Sequence, residues 1–297
     1  MKSDLPYLLA LSQIQGLGPI TLKKVLDFFN DPKTCYEATF NEYLKAGLAE
    51  ITVKKIFEEK NKLEPDKLIE ELNKKGIKIV SIYDNEYPSL LKEIYDPPFI
   101  LYYQGNINIL NKISLAVIGS RNISDYAKKI MPLLLKEVVK EKIPIISGLA
   151  YGVDTLAHKI SLKYHNDTLA ILGSGLANIY PQSNTRLALE MINNNGLLLT
   201  EFSPESKPLP QNFVRRNRLI SGLAKAVLIV EASLKSGALI TAKYALEQGR
   251  EILALPGNIL NENSQGTNML INEGAKLVTC SQDILDSLKR NYYVKAI

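Results

Sequence analysis

Tryptophan is missing from this 297-residue chain, aromatic residues make up 7% of it, and cysteine occurs only twice, at Cys35 and Cys280. Two distant thiols without CxxC or Cys/His spacing argue against a disulfide framework and a structural zinc site. No apolar run approaches the roughly 20 residues of a membrane helix, and mean hydropathy is −0.04. The opening MKSDLPYLLALSQIQGLGP breaks its apolar stretch too early for a secretory signal. A soluble, cytoplasmic protein without membrane contact is expected. Signatures of several chemistries are missing too. GxxxxGKS/T is absent, which argues against a P-loop nucleotide hydrolase. Gly173-Ser174-Gly175-Leu176-Ala177-Asn178 lacks the third glycine of a dinucleotide fingerprint, and neither GxSxG nor HExxH occurs. With no clustered carboxylates either, no metal and no cofactor are expected.

What is present starts with length: about two domains at roughly 100–200 residues each, with 46% hydrophobic residues to build their cores. The net charge is +5, mildly attractive to a polyanion. The distribution says more than the total. Between Ser206 and Val230 lie Lys207, Arg215, Arg216, Arg218 and Lys225 without a single carboxylate.

Residues 1–75 read as a small helical domain. Leu5 to Ile14 and Ile20 to Phe29 have helical apolar spacing and flank Gly16-Leu17-Gly18-Pro19, a helix-hairpin-helix pattern echoed more weakly in LKAGLAEITVKKIF. Residues 76–110, rich in proline and tyrosine, read as an ordered connector docked on the next domain, with short strands at Ile77–Ser81 and Phe99–Tyr103. From 111 to 290 apolar β-type runs alternate with amphipathic stretches. Strands are expected at Ser114–Ile118, Pro144–Ser147, Thr168–Leu172, Leu197–Thr200, Ala226–Val230, Ile252–Leu255 and Lys276–Val278. Helices are expected at Asp125–Lys140, Val153–Tyr164, Asn184–Asn193 and Ala238–Gln248. Uninterrupted apolar strands suit burial on both faces, so the expected fold is α/β: a doubly wound, mostly parallel sheet behind a small all-α domain.

Open parallel sheets bind ligands outside the carboxyl ends of their strands. Those ends here are Gly119-Ser120-Arg121, Ser147-Gly148-Leu149-Ala150, Gly173-Ser174-Gly175 and Glu231-Ala232-Ser233, the last running into Lys235-Ser236-Gly237. Glycine permits close backbone approach, and helix N-termini offer unpaired amides. Four such ends, with Arg121, Lys235 and the Arg215/Arg216/Arg218 cluster, describe a rim for several phosphates. Phe213, Tyr151 and Tyr180 are the candidate base platforms. A catalytic constellation does not emerge. Asp154 and His158 share a helix face, and Ser147, Ser174 and Glu231 lie at strand ends, but nothing in the sequence fixes a nucleophile–base pair among them. The chain is expected not to be an enzyme.

AVIGSR at 116–121, ISGLAYGVDTLAH at 146–158, LGSGLANIYPQSN at 172–184 and QNFVRRNRLISGL at 211–223 together resemble the DNA-processing protein A (DprA, or Smf) family. VEASLKSGALITAKYALEQGR at 230–250, ALPGN at 254–258 and GTNMLINEGA at 266–275 extend the likeness in order. The resemblance implies an extended Rossmann-like domain, a homodimer formed through it, and no catalytic step. It implies a cytoplasmic protein that binds single-stranded DNA and delivers it to a RecA-type recombinase in natural transformation. Carried over by position are Ser120, Arg121, Ser174, Gly175, Arg186, Asn212, Phe213, Arg215, Arg216, Asn217, Arg218, Lys235, Ser236 and Gly237, and with Gly119, Gly148 and Gly173 of the strand ends they make up the expected phosphate- or DNA-contacting set. The chain departs from the family in having Val214 where Phe-Pro is common. Only the tail RNYYVKAI follows the last helical pattern, so no C-terminal winged-helix domain is expected. The alternatives are a phosphoribohydrolase-like enzyme, whose signature similar to PGGxGTxxE finds Lys243 in place of its glutamate, and a small-nucleotide sensor.

Overall fold

The computed structural model describes residues 4–289, and the tail RNYYVKAI lies outside them. Six helices come first: α1 (Leu5–Gln13), α2 (Pro19–Phe29), α3 (Pro32–Glu37), α4 (Phe40–Lys45), α5 (Glu50–Lys60) and α6 (Pro65–Lys74). The two hairpin patterns are α1–α2 and α4–α5. Gly16 and Gly47 take φ of +99° and +79° at their turns, a conformation in which only glycine is unstrained. Lys24 Nζ donates to the Gly47 carbonyl at 2.7 Å and joins the hairpins.

Nine strands form one sheet: β1 (Lys78–Ser81), β2 (Ile100–Gly105), β3 (Leu115–Ile118), β4 (Ile145–Ser147), β5 (Thr168–Ile171), β6 (Leu197–Thr200), β7 (Ala226–Ile229), β8 (Glu251–Ala254) and β9 (Lys276–Leu277). Their order is β1-β2-β6-β5-β4-β3-β7-β8-β9. From β6 to β9 every pairing is parallel, whereas β1 and β2 add antiparallel to the β6 edge. The stretch 76–110, expected as a docked connector, is thus woven into the sheet, with α7 (Ser89–Lys92) between its strands.

The remaining helices are α8 (Asp125–Lys140), α9 (Val153–Lys163), α10 (Thr185–Asn193), α11 (Pro210–Leu223), α12 (Gly237–Glu247), α13 (Glu262–Asn272) and α14 (Ser281–Lys289). Strand alternation divides the core between them. Leu115 and Val117 of β3 pack with α8, α9 and α14, while Ala116 and Ile118 pack with α11, α12 and α13 on the other face. Both faces are covered, which is why the strands read as continuous apolar runs. The N-terminal helices share a third core with Ile100 and Tyr102 of β2, Leu198 of β6 and Met191 of α10, and Gln13 Nε2 donates to the Tyr102 hydroxyl at 3.1 Å. After β3 the chain builds β4, β5 and β6 outward on one side, then crosses back to place β7 on the other. This reversal puts a topological switch point between β3 and β7, where a doubly wound sheet opens a crevice.

Candidate nucleic-acid interface

A crevice of about 640 Å³ stands at that switch point. Gly119, Ser120 and Arg121 after β3 form one wall, and Ser233, Ser236 and Gly237 leading into α12 form the other. The α11 residues Phe213, Val214, Arg216 and Asn217 close it. Local hydrogen bonds shape each wall. The Ser120 hydroxyl bridges Asn122 N and O at 3.1 and 3.0 Å. Ser236 accepts from Ala238 N at 3.2 Å and starts α12, and a Cβ placed on Gly237 would meet nothing within 4 Å. Glu231, at the end of β7, is buried and accepts from both the amide and the hydroxyl of Ser124, the residue that caps α8. It ties β7 to the start of α8.

Beneath the crevice lies a buried polar cluster. Asp154 Oδ2 accepts from Gly148 N and Ala150 N at 3.0 and 3.2 Å and fixes the loop after β4. Burial raises the Asp154 pKa, and the nearby Arg216 opposes that rise. His158 meets Thr168 Oγ1 through Nδ1 at 2.7 Å. That hydroxyl already donates to Ile145 O at 2.9 Å, so Nδ1 must carry the proton. Burial, helped by the Arg216 charge, pushes the imidazole down to about 3 and keeps it neutral. Arg216 donates through Nη1 to Gly148 O at 2.8 Å and also to Ile171 O, and through Nε to Asn217 Oδ1 at 3.2 Å. Burial lowers its pKa to about 10; Asp154 opposes this shift and the neighbouring positive charge of Arg121 adds to it. Arg121 and Arg216 line the crevice with Asp154, two cations against one carboxylate, a balance that favours an anion.

The expected site residues separate into three groups. Gly119, Ser120, Arg121, Phe213, Arg216, Asn217, Ser236 and Gly237 converge on the crevice. Lys235 is exposed beside it, on a neighbouring groove that shares Ser236. A second group serves the protein itself. Arg218 is buried in ion pairs with Asp96 and Glu201, both at 2.8 Å. Burial alone would lower its pKa, but the two carboxylates outweigh that effect and raise it. Arg218 is therefore not a rim cation. Ser174 is buried and donates to Asn178 O at 2.7 Å. A Cβ on Gly148 would strike the Arg216 guanidinium at 2.6 Å, on Gly173 the Phe213 ring at 2.5 Å, and on Gly175 the Pro204 carbonyl at 2.1 Å. These three glycines make room for protein groups, not for a ligand. The third group lies off the crevice: Arg186 is exposed on α10, Asn212 Nδ2 donates to Lys207 O at 3.3 Å, and Arg215 pairs with Glu201 at 2.9 Å over the Phe202 ring.

Of the three candidate platforms, Tyr180 joins Phe213 at the mouth, ring centroids 5.5 Å apart and planes tilted by 53°, while Tyr151 is exposed elsewhere. The sequence reading missed Asn122, Ile240 and Thr241 in the lining. The last two lie one turn into α12, where helical spacing after Gly237 was signal enough to find them. Among the described residues no cluster of His, Cys, Asp and Glu could hold a metal ion, and no helix is long and apolar enough to cross a membrane.

Comparison with known proteins places the chain in a family. DNA processing protein DprA of Streptococcus pneumoniae R6 is 44% identical over 205 residues, covering 69% of this chain and 72% of the relative. The X-ray structure of DNA processing protein A from the same species superposes with a TM-score of 0.85 at 35% identity, over 96% of this chain and 99% of that one. DNA processing protein A from Helicobacter pylori, solved to study its single-stranded DNA binding mode, matches at a TM-score of 0.64 and 30% identity, over 71% of this chain and 95% of that one. The sequence profile of DNA recombination-mediator protein A matches residues 78–289, a span that starts at β1 and takes in every strand of the sheet. The chain is a member of the DNA recombination-mediator protein A (DprA/Smf) family.

Proposed function

We propose that the protein binds single-stranded DNA in the β3/β7 crevice, acts in the cytoplasm as a homodimer formed through its α/β domain, and passes the strand to a RecA-type recombinase during natural transformation. The observation that carries this reading is the convergence of Arg121, Arg216, the open start of α12 and the Phe213–Tyr180 ring pair on one switch-point crevice. Cations and amides hold phosphates without reading sequence, and rings accept any base face. Membership of the family and the DNA-binding relative from Helicobacter pylori support the assignment. The role requires no catalytic step. His158 is held neutral and Asp154 is committed to main-chain amides, so neither is placed as a proton shuttle. Lys243, where a phosphoribohydrolase would need its glutamate, points to Glu247 on the exposed side of α12.

Binding to oligothymidylate, followed by gel shift across a salt series, tests the crevice. Arg121→Ala and Lys235→Ala should each weaken binding about tenfold and flatten the log–log salt dependence by about 0.7 per lost phosphate contact. Unchanged affinity and slope in both variants would reject the assignment. Hand-off is tested by recombinase filament formation on strands precoated with a single-strand-binding protein, which should be faster in the presence of this protein.

A further inference from the structure

A second cleft, of about 450 Å³, lies where the N-terminal helices meet the stretch between β1 and β2. Ile20, Lys23 and Asp27 project into it from one face of α2, and Tyr83, Lys92 and Tyr95 face them. Its volume is in the usual range for a bound small group, and its lining is unusual for a surface that serves only packing. Tyr95 is 87% exposed and Tyr83 and Ile20 about half exposed, so two aromatic faces are turned toward solvent in one concave site. Lys23 and Lys92 are exposed and form no ion pair among the described residues. Lys92 Nζ lies over the Tyr87 ring, 5.8 Å from its centroid. Of the two carboxylates in the lining, Asp96 is neutralised by Arg218 at 2.8 Å, which leaves Asp27 against two free lysines. The cleft is therefore weakly cationic and aromatic, the combination that holds a nucleic-acid strand without sequence preference.

Its position relative to the first crevice decides the occupant. Asp96, in the cleft wall, is bonded to Arg218 of α11, and Arg218 shares Glu201 with Arg215. One turn of the same helix supplies Phe213, Arg216 and Asn217 to the crevice. Through Glu201 the half-exposed Arg215 is thus joined to Arg218 and so to the cleft wall. The geometry points to the cleft as a second contact for the same DNA strand, with backbone phosphates on Lys23 and Lys92 and a base stacked on Tyr95. This inference rests on the DNA-binding reading of the crevice, and it extends the footprint from the α/β domain onto the helical one.

Fluorescence-anisotropy titrations of the full chain with oligothymidylates of increasing length separate the two contacts. A strand long enough only for the crevice should bind Tyr95→Ala and Lys92→Ala proteins as it binds the unaltered one. Longer strands should bind the unaltered protein more tightly; that gain should fall about tenfold in Tyr95→Ala, the size of one stacked base, and should fall in Lys92→Ala with a flatter salt dependence, the mark of one lost phosphate contact. Arg121→Ala should weaken short and long strands alike. Strands carrying 5-iododeoxyuridine should crosslink to the peptide holding Tyr83 or Tyr95 only when long. If the gain with length survives in both variants and no such crosslink forms, the cleft is no part of the path and the crevice reading stands. If short strands ignore Arg121→Ala, the crevice reading itself fails, whatever the cleft does.

Discussion

The segments that follow β3 and β5 are alike in composition, small residues around glycine at the same edge of one sheet, and they do opposite things. After β3 the chain leaves Ser120 and Arg121 facing open space. After β5 the space above Gly173 is filled by the Phe213 ring, and Gly175 abuts the carbonyls of Ser203 and Pro204 at 2.2 and 2.1 Å. What differs is the neighbour across the rim: the end of β3 lies at the switch point, where the connections after β3 and β7 leave for opposite faces of the sheet, and the end of β5 lies under α11 and the 203–206 turn. A glycine at a strand end marks a close approach, and the identity of the approaching group depends on topology. The α11 arginines show the same contrast at the scale of one turn. At about 100° per residue, Arg215 and Arg218 fall on one side and converge on Glu201, and Arg216 is carried round to the crevice.

The contrast can be broken most forcefully at Arg218. Arg218→Ala strips Asp96 of its partner and leaves the buried Glu201 to the half-exposed Arg215 alone, and should cost about 3 kcal/mol in urea denaturation. Arg121→Ala, on the open side, should leave the unfolding midpoint unchanged while weakening DNA binding. Next in size, Gly175→Ala should destabilise by about 1–3 kcal/mol through overpacking, whereas Gly237→Ala, with open space around it, should stay within about 0.5 kcal/mol. Equal melting temperatures for those two variants would erase the distinction between a filled and an open strand end.

A pH-dependent effect concerns the layer under the crevice. His158 falls from an ordinary value of 6.5 to about 3 in the folded chain, so below pH 6.5 the unfolded chain binds a proton that the folded one refuses. Stability should therefore drop as pH is lowered through that window, by up to about 1.4 kcal/mol per pH unit from this group. His158→Gln should lose that slope relative to the unaltered protein. Asp154 is present in both proteins and cancels in the difference.

The parallel sheet was legible because its strands are buried on both faces, and LAVI of β3 or AVLI of β7 then has no polar alternation to confuse. The place of β1 and β2 was not legible, since an antiparallel edge pairing with β6 leaves no mark in either partner's local pattern. Helix α11 also went without a helical expectation. It buries Arg216 and Arg218 beside Leu219, Ile220 and Leu223, and two buried cations in place of aliphatic residues disrupt the apolar period by which a helix is recognised. For the site, composition located the charge and left its direction open. Ser174 and Arg218 look like phosphate ligands until their partners, Asn178 and the Asp96–Glu201 pair, are seen.

In the proposed contact with DNA, Arg216 differs thermodynamically from its neighbours. Clamped to the carbonyls of Gly148 and Ile171, it has already given up its rotamers during folding, so an arriving anion has no motion left to quench there. Lys235 and Arg121, held by no such clamp, must each be stilled on contact, at about 0.5–1.5 kcal/mol apiece. On that proposal the opposing entropy of binding falls on the outer cations, and the inner one serves as a fixed electrostatic anchor.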